Sequence, residues 1–366
     1  MTFELDFDTK GQPVSASQLA RLIAESKRVG ATDLIFLAHG FRCAQSDATT
    51  LYTNLLATLL PNLAAMTKRT FAIAGVYWPS QEFRETCGND VPPAKFVESI
   101  LAKFGDGNDD PAEGLPLLHE FTGAELLHKL QSPLVDQPAR EGGALSLPLA
   151  DPVHEAIDKF LNFMSWVAMK KLSGEVGANG VAAAVRACQN ELPAARIHLA
   201  GHSLGGRLMS ACCKSLGRQQ APKIDSLSLL EAAFSHFGFS PDAGWGQPGF
   251  FRDVIAAQTV RGPIISTFSK LDSVVGTVYA LASRLAHDRL QAIGDSADPY
   301  GGIGHNGAQR TPESIAIRLH RQGQPYQLRP GMITCLDGSA GLITGHGDVT
   351  NPHVTYAVAS AICTAA

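Results

Sequence analysis

The chain has 366 residues, 45% of them hydrophobic and 17% charged, with a formal net charge of −4 and a sequence pI near 6.3. It is apolar enough to bury a large core, in one elaborated domain or two, and this excludes disorder as the main state. The charge balance supplies neither a basic stripe for nucleic acid nor a polybasic membrane anchor. No apolar stretch is long enough for an integral membrane segment, which leaves only peripheral lipid contact open. Residues Thr2 to Asp8 alternate acidic and apolar, unlike the basic start and apolar core of a secretory signal. The expectation is a soluble, cytoplasmic protein, although export without a cleaved signal would leave the same sequence. Oligomeric state is not legible. The seven cysteines (43, 87, 188, 212, 213, 335 and 363) are odd in number and form no C-x-x-C pair, as expected of reduced, packed thiols. Cys43, close to the His39-Gly40 loop, is the one exception to weigh.

Taken in order, Phe3 to Asp8 reads as a half-exposed edge strand. A helical pattern follows at Ser15 to Arg28, then an apolar strand at Leu34 to Ala38. The next helix, Asp47 to Leu60, is expected to be capped by Ser46 and ended by Pro61. Further strands are expected at Phe71 to Tyr77, Arg196 to Ala200, Leu227 to Glu231, Pro263 to Phe268 and Met332 to Leu336. Strands alternating with helices predict an α/β fold, a doubly wound and mostly parallel sheet covered on both faces. The stretch between the strands at Phe71 to Tyr77 and Arg196 to Ala200 is far longer than one crossover helix requires. Residues 1–80 and 191–366 are therefore assigned to the core, and 81–190 to an inserted, mainly helical cap. Within the cap, Val153 to Leu172 carries an apolar stripe of Ile157, Phe160, Leu161, Met164, Val167 and Ala168, widened by Phe163 and Trp166. Packing on the core is the common role of such a face, and contact with lipid or acyl chains the sharper one. Gly302 to Gly307 matches G-x-G-x-x-G, but no strand precedes it and no acid follows at ribose-binding distance, so it is rejected as a dinucleotide site.

The most specific signal is Gly201-His202-Ser203-Leu204-Gly205-Gly206. A bare G-x-S-x-G arises by chance in about one chain in ten of this length. Here a β-branched strand leads into it and a helical pattern leads out, so Ser203 falls on a strained strand-to-helix turn that exposes its hydroxyl. Gly201 and Gly205, two residues either side of Ser203, let strand and helix approach without a Cβ between them. In this form the segment resembles the nucleophile elbow of the α/β-hydrolase superfamily, in particular of lipases and esterases, and the resemblance covers most of residues 30 to 360.

A serine hydroxyl needs a base to take its proton and an acid to orient that base. In the family's order, Ser then Asp/Glu then His, the acid follows a later strand and the histidine a loop after the last one. Asp272, just beyond the strand Pro263 to Phe268, is the implied acid, with Glu231 at the end of the preceding strand as its rival. His346, between Gly345 and Gly347, is the implied base, with His353 and His305 as rivals. Asp348 could hold that loop or form a metal pair with His346, but two ligands without a third make a weak metal site, and no metal is expected. The oxyanion hole is implied at the Leu204 amide and at Phe41, after His39-Gly40. His39 and His202 are expected to pack around the elbow without titrating in the reaction. His119, His128, His154 and His287 have no evident partners.

The resemblance implies an esterase or lipase-like serine hydrolase acting on a small-molecule or lipid ester through a Ser203-His346-Asp272 triad and an acyl-enzyme, with no cofactor. Acyltransferase, thioesterase or amidase chemistry on the same triad, or a noncatalytic ligand-binding member of the fold, are the alternatives.

Overall fold

The computed structural model describes residues 1–41, 43–80, 168–244, 246–279 and 301–365. The expected cap from 81 to 167 lies outside them, with Cys87, His119, His128, His154 and most of the 153–172 stripe. His287 lies outside them as well. Among the described residues, β1 (Thr2–Asp6), β2 (Asp33–Ala38), β3 (Phe71–Tyr77), β4 (Arg196–His202), β5 (Ser226–Leu230), β6 (Ile264–Phe268), β7 (Ser314–Arg318) and β8 (Ile333–Asp337) form one sheet. Its order is β1-β3-β2-β4-β5-β6-β8-β7, and every neighbouring pair is parallel.

The inner strands divide their apolar residues between two faces, because successive side chains alternate. In β2, Leu34, Phe36 and Ala38 join one core while Ile35 and Leu37 join the other. The first face is covered by α1 (Ala16–Arg28), α3 (Ala182–Glu191), α4 (Leu204–Arg218) and the short α5 (Arg252–Ala256). The second is covered by α2 (Gln45–Met66) and α7 (Pro352–Thr364). The molecule is thus an α/β protein with helices on both faces of one parallel sheet. At the edge, β1 alternates exposed and buried residues, the pattern its sequence predicts.

Residues 168–175 are helical and run through a π-helical segment, Val176–Val181, into α3. Met169, Leu172, Val176 and Val181 are buried in the first core. Residues 168–190, grouped with the insertion on sequence, here form part of the core layer. Helix α2 also differs from its sequence pattern. It starts at Gln45, where the Ala44 N–H donates to Asp47 Oδ2 at 3.0 Å. It then passes through Pro61 to Met66. Leu59, Asn62 and Leu63 are buried on either side of the proline, and packing of that face outweighs the one lost backbone bond.

At the amino ends of the strands lies a buried polar chain that spans three elements. His198 Nε2 meets Asp33 Oδ1 at 2.9 Å and His198 Nδ1 meets Ser226 Oγ at 2.8 Å. Arg69 stands 3.3 Å from the other Asp33 oxygen. The three residue types are those of a hydrolytic triad, but Ser226 is fully buried within β5. The chain ties β2, β4 and β5 together and offers no substrate an approach.

Chain direction fixes where a site can form. From β2 the chain builds outward through β3, and from β4 it builds the other way through β5 and β6. The crevice at the carboxyl ends of β2 and β4 is therefore the switch point of the sheet, the usual binding position in open α/β sheets.

Candidate active site

Ser203 sits at that switch point, immediately after β4 and at the N-cap of α4. Its backbone has φ 57° and ψ −125°, a conformation that costs an L-residue about 1–3 kcal/mol. The end of β5 and the residues just beyond it pin the turn: the Ser203 N–H donates to Leu230 O at 3.1 Å, and the Ala233 N–H donates to Ser203 O at 3.0 Å. The flanking glycines are required by contact. A Cβ added at Gly201 would come within 2.2 Å of Gly205 O, and one at Gly205 within 2.3 Å of Ala38 O. Both obstacles are backbone and cannot rotate away. Gly205→Ala is expected to lower stability by about 3 kcal/mol or more, the upper end for overpacked sites, measurable as a fall in the urea midpoint. A variant as stable as the parent would refute the close approach.

The loop after β2 reaches the serine directly. A Cβ at Gly40 would stand 2.8 Å from Ser203 Cβ and 3.3 Å from Oγ. His39 holds this loop from beneath. Its main-chain N–H donates to Tyr52 Oη at 2.9 Å, and its ring lies stacked on Trp78 with centroids 5.5 Å apart. Trp78 N–H donates to His39 Nε2 at 3.4 Å, which makes His39 Nδ1 the donor to Gly40 O at 3.0 Å. Burial pulls the His39 imidazole down to about 4, so it is neutral at pH 7. Cys43 and Ser80 close the loop's far side through the Cys43 N–H to Ser80 Oγ and the Ser80 hydroxyl to Cys43 O. Burial pushes the Cys43 thiol up to about 11, which removes it as a nucleophile. Phe41 follows Gly40 and packs against the first core. On the other side of Ser203, Leu204 is the first residue of α4, where helical amides lack intrahelical acceptors.

Asp272 and His346 meet. His346 Nδ1 donates to Asp272 Oδ2 at 2.8 Å, while Asp272 Oδ1 accepts the Val275 N–H at 2.9 Å. Asp272 thus caps the π-helical segment Val274–Tyr279 and orients the imidazole at once. It is fully buried, and His346 is 17% exposed at its side chain. The two loops are fastened to each other by the Ser269 hydroxyl to Ile343 O at 2.9 Å and the Lys270 N–H to Ser339 Oγ at 2.8 Å. Asp348 fixes the histidine loop by accepting the Thr344 N–H and hydroxyl, both at 3.1 Å. The glycines beside His346 serve no close contact, since a Cβ at either meets nothing within 4 Å.

His202 links the elbow to the histidine loop. Its Nε2–H donates to His346 O at 2.8 Å, and the two rings lie with centroids 4.8 Å apart. Burial and the neighbouring His346 pull the His202 imidazole down to about 3, leaving it a neutral donor. Ser203 Oγ itself makes no hydrogen bond among the described residues. The structure therefore joins His346 to Asp272 and brings it beside the elbow, without a Ser203–His346 bond; such bonds commonly tighten only with substrate in place.

Neither rival histidine bonds the Asp272 carboxylate among the described residues. His353 Nδ1 accepts the Gln322 N–H at 3.0 Å in the first turn of α7, where Asn351 is the cap. His305 donates from Nδ1 to the main-chain carbonyl of Asp272 at 3.1 Å, from the short helix α6 (Ile303–Asn306). Glu231 is close to the pair but bonded to neither member. One donor atom from each of Glu231, Asp272 and His346 lies within 4.8 Å of the others, a spacing a divalent ion could span. Nδ1 of His346 is already engaged by Asp272 Oδ2. Compared with known proteins, the chain matches no family model, no curated protein and no solved structure.

Proposed function

We propose that this protein is a serine hydrolase of the α/β-hydrolase type, cleaving a carboxylic ester of a small molecule or lipid. The observation that carries the reading is the 2.8 Å bond from His346 Nδ1 to a buried Asp272, beside a serine held at φ 57° between two helix- and loop-forming backbones. Ser203, Asp272 and His346 occur in the chain order and at the strand ends that the elbow motif leads one to expect.

In this reading Ser203 Oγ attacks the acyl carbonyl and its proton passes to His346 Nε2. The imidazolium that forms is stabilised through Nδ1–H by Asp272. The Leu204 and Phe41 amides receive the tetrahedral oxyanion, the alcohol leaves with the proton from His346, and water then releases the acid by the same steps in reverse roles. His39 and His202 take no proton; both are neutral donors that hold the oxyanion loop and the histidine loop.

The test is labelling with a fluorophosphonate, together with turnover of p-nitrophenyl esters from short to long acyl chains. Labelling at Ser203 and turnover of at least one ester support the reading, and the chain-length optimum separates esterase from lipase. A wild-type protein inert to both would overturn it.

A further inference from the structure

Glu231 follows β5 directly, one strand over from Asp272. It is fully buried, and neither carboxylate oxygen has a hydrogen-bond partner among the described residues. Its backbone is left-handed at φ 44°. Of the five non-glycine residues described with positive φ, Gln220, Gln258 and Arg310 are exposed, while Ser203 and Glu231 are buried. The two strained, buried residues thus end adjacent strands at one site. The Glu231 backbone is clamped: its N–H donates to Thr267 Oγ1 at 3.1 Å, and a Cβ on Gly304 would come within 2.5 Å of its carbonyl carbon. The side chain is held in a cluster with Asp272 and His346, one donor atom of each within 4.8 Å of the others.

We propose, resting on the serine-hydrolase reading above, that Glu231 and Asp272 work as one acid pair carrying a single negative charge opposite His346, and that Glu231 takes over that charge when Asp272 cannot hold it. Burial first, then the charges of Asp272 and Asp348, push the Glu231 carboxyl up to about 10, so in the native protein it carries the proton. The titratable and charged groups that face the pair are His202 at the end of β4, Lys270 beyond β6, His346 and Asp348 beyond β8, and His305 on α6. His202 and His305 are both shifted towards the neutral form by burial. Lys270 Nζ bonds Asn306 Oδ1. Removing the Asp272 charge removes one of the influences that keep Glu231 protonated, and a Glu231 oxygen already stands within 4.8 Å of a His346 ring nitrogen. Glu231 is accordingly a positioning residue that acts through His346.

The experiment compares kcat/KM against pH for the full chain, Asp272→Asn, Glu231→Gln and the double variant, with Ser203→Ala as reference. Asp272→Asn is expected to lose about 10⁴-fold, the size of the loss when a triad acid becomes an amide. Its residual activity should rise along a limb displaced to higher pH, as the buried Glu231 ionises. Adding Glu231→Gln should remove that limb and cost at least about tenfold more, a larger factor than Glu231→Gln costs in the native background. Identical rates and profiles for Asp272→Asn and the double variant would overturn the pairing, since hydroxide-assisted turnover needs no second acid. Activity that survives in Ser203→Ala would instead sink the hydrolase reading itself. Should Asp272→Asn fail to fold, infrared difference spectra of the native protein and Glu231→Gln at pH 7 decide the matter. A buried carboxylic acid C=O band lost in Glu231→Gln supports the pair, and its absence from the native protein overturns it.

Discussion

Ser203→Ala is expected to reduce ester turnover by about 10⁴- to 10⁶-fold and to abolish fluorophosphonate labelling. Stability should move by less than about 1 kcal/mol, the typical loss for a single substitution. Among the described residues the hydroxyl has no partner to leave unsatisfied, and alanine meets the same backbone strain that serine does at φ 57°. His346→Ala should lose a similar factor, and the double variant little more, because the two groups act on one proton. Stability separates them. His346→Ala deprives a buried Asp272 of the donor on Oδ2, leaving only the Val275 N–H on Oδ1 among the described residues, and should cost about 1–3 kcal/mol. Rates in the ester assay and urea midpoints for the three variants check both halves. Losses that multiply in the double variant, or a Ser203→Ala protein with normal turnover, would contradict the unit.

Much of this arrangement is legible in the amino-acid sequence. The six apolar strands can be read because a sheet buried on both faces demands unbroken runs such as Phe71–Tyr77. The elbow can be read because the glycine spacing answers a steric demand that the structure meets at 2.2 and 2.3 Å. Strand β7 cannot, since Ser314–Arg318 lies at the sheet edge with its side chains half exposed or exposed, and its apolar run, Ile315-Ala316-Ile317, is only three residues long. Helix α2 overruns its expected end because the proline rule is local while the packing of Leu59 and Leu63 is not. Two features depend on register, which pattern alone does not supply. Asp33, His198 and Ser226 come from three strands and meet only because β2, β4 and β5 pair as they do. Glu231 is visible in the sequence as an alternative acid, but that it and Asp272 stand at one site follows from adjacent strand ends. Sequence places His202 against the elbow; its bond to the His346 carbonyl requires the fold.

Protonation of buried groups gives the stability of this protein an expected pH optimum near 6.5. His39, pulled down to about 4, His202, pulled down to about 3, and His198, also lowered by burial, are neutral in the folded protein but titrate near the ordinary histidine value of 6.5 when unfolded. Below 6.5 the unfolded chain therefore binds protons that the native one refuses, and stability falls with acid by up to about 1.4 kcal/mol per pH unit for each fully shifted group. Glu231 has the opposite sign. Its folded value of about 10 lies above the ordinary 4.5, so between those limits the native protein holds a proton the unfolded chain has lost. Its contribution is complete in acid and declines as pH rises. From pH 4.5 to 6.5 the histidines outweigh this single carboxyl, and above 6.5 the carboxyl acts alone until the cysteines of the unfolded chain titrate near 9. Urea unfolding between pH 5 and 9 should thus show a maximum near 6.5, a steep acid side and an alkaline side falling by about 1.4 kcal/mol per unit. Glu231→Gln should flatten the alkaline side and leave the acid side standing, indeed steeper, because the opposing proton is gone. An alkaline slope unchanged in Glu231→Gln would mean that Glu231 is not the proton carrier, and with it the single-charge pair opposite His346 would fall.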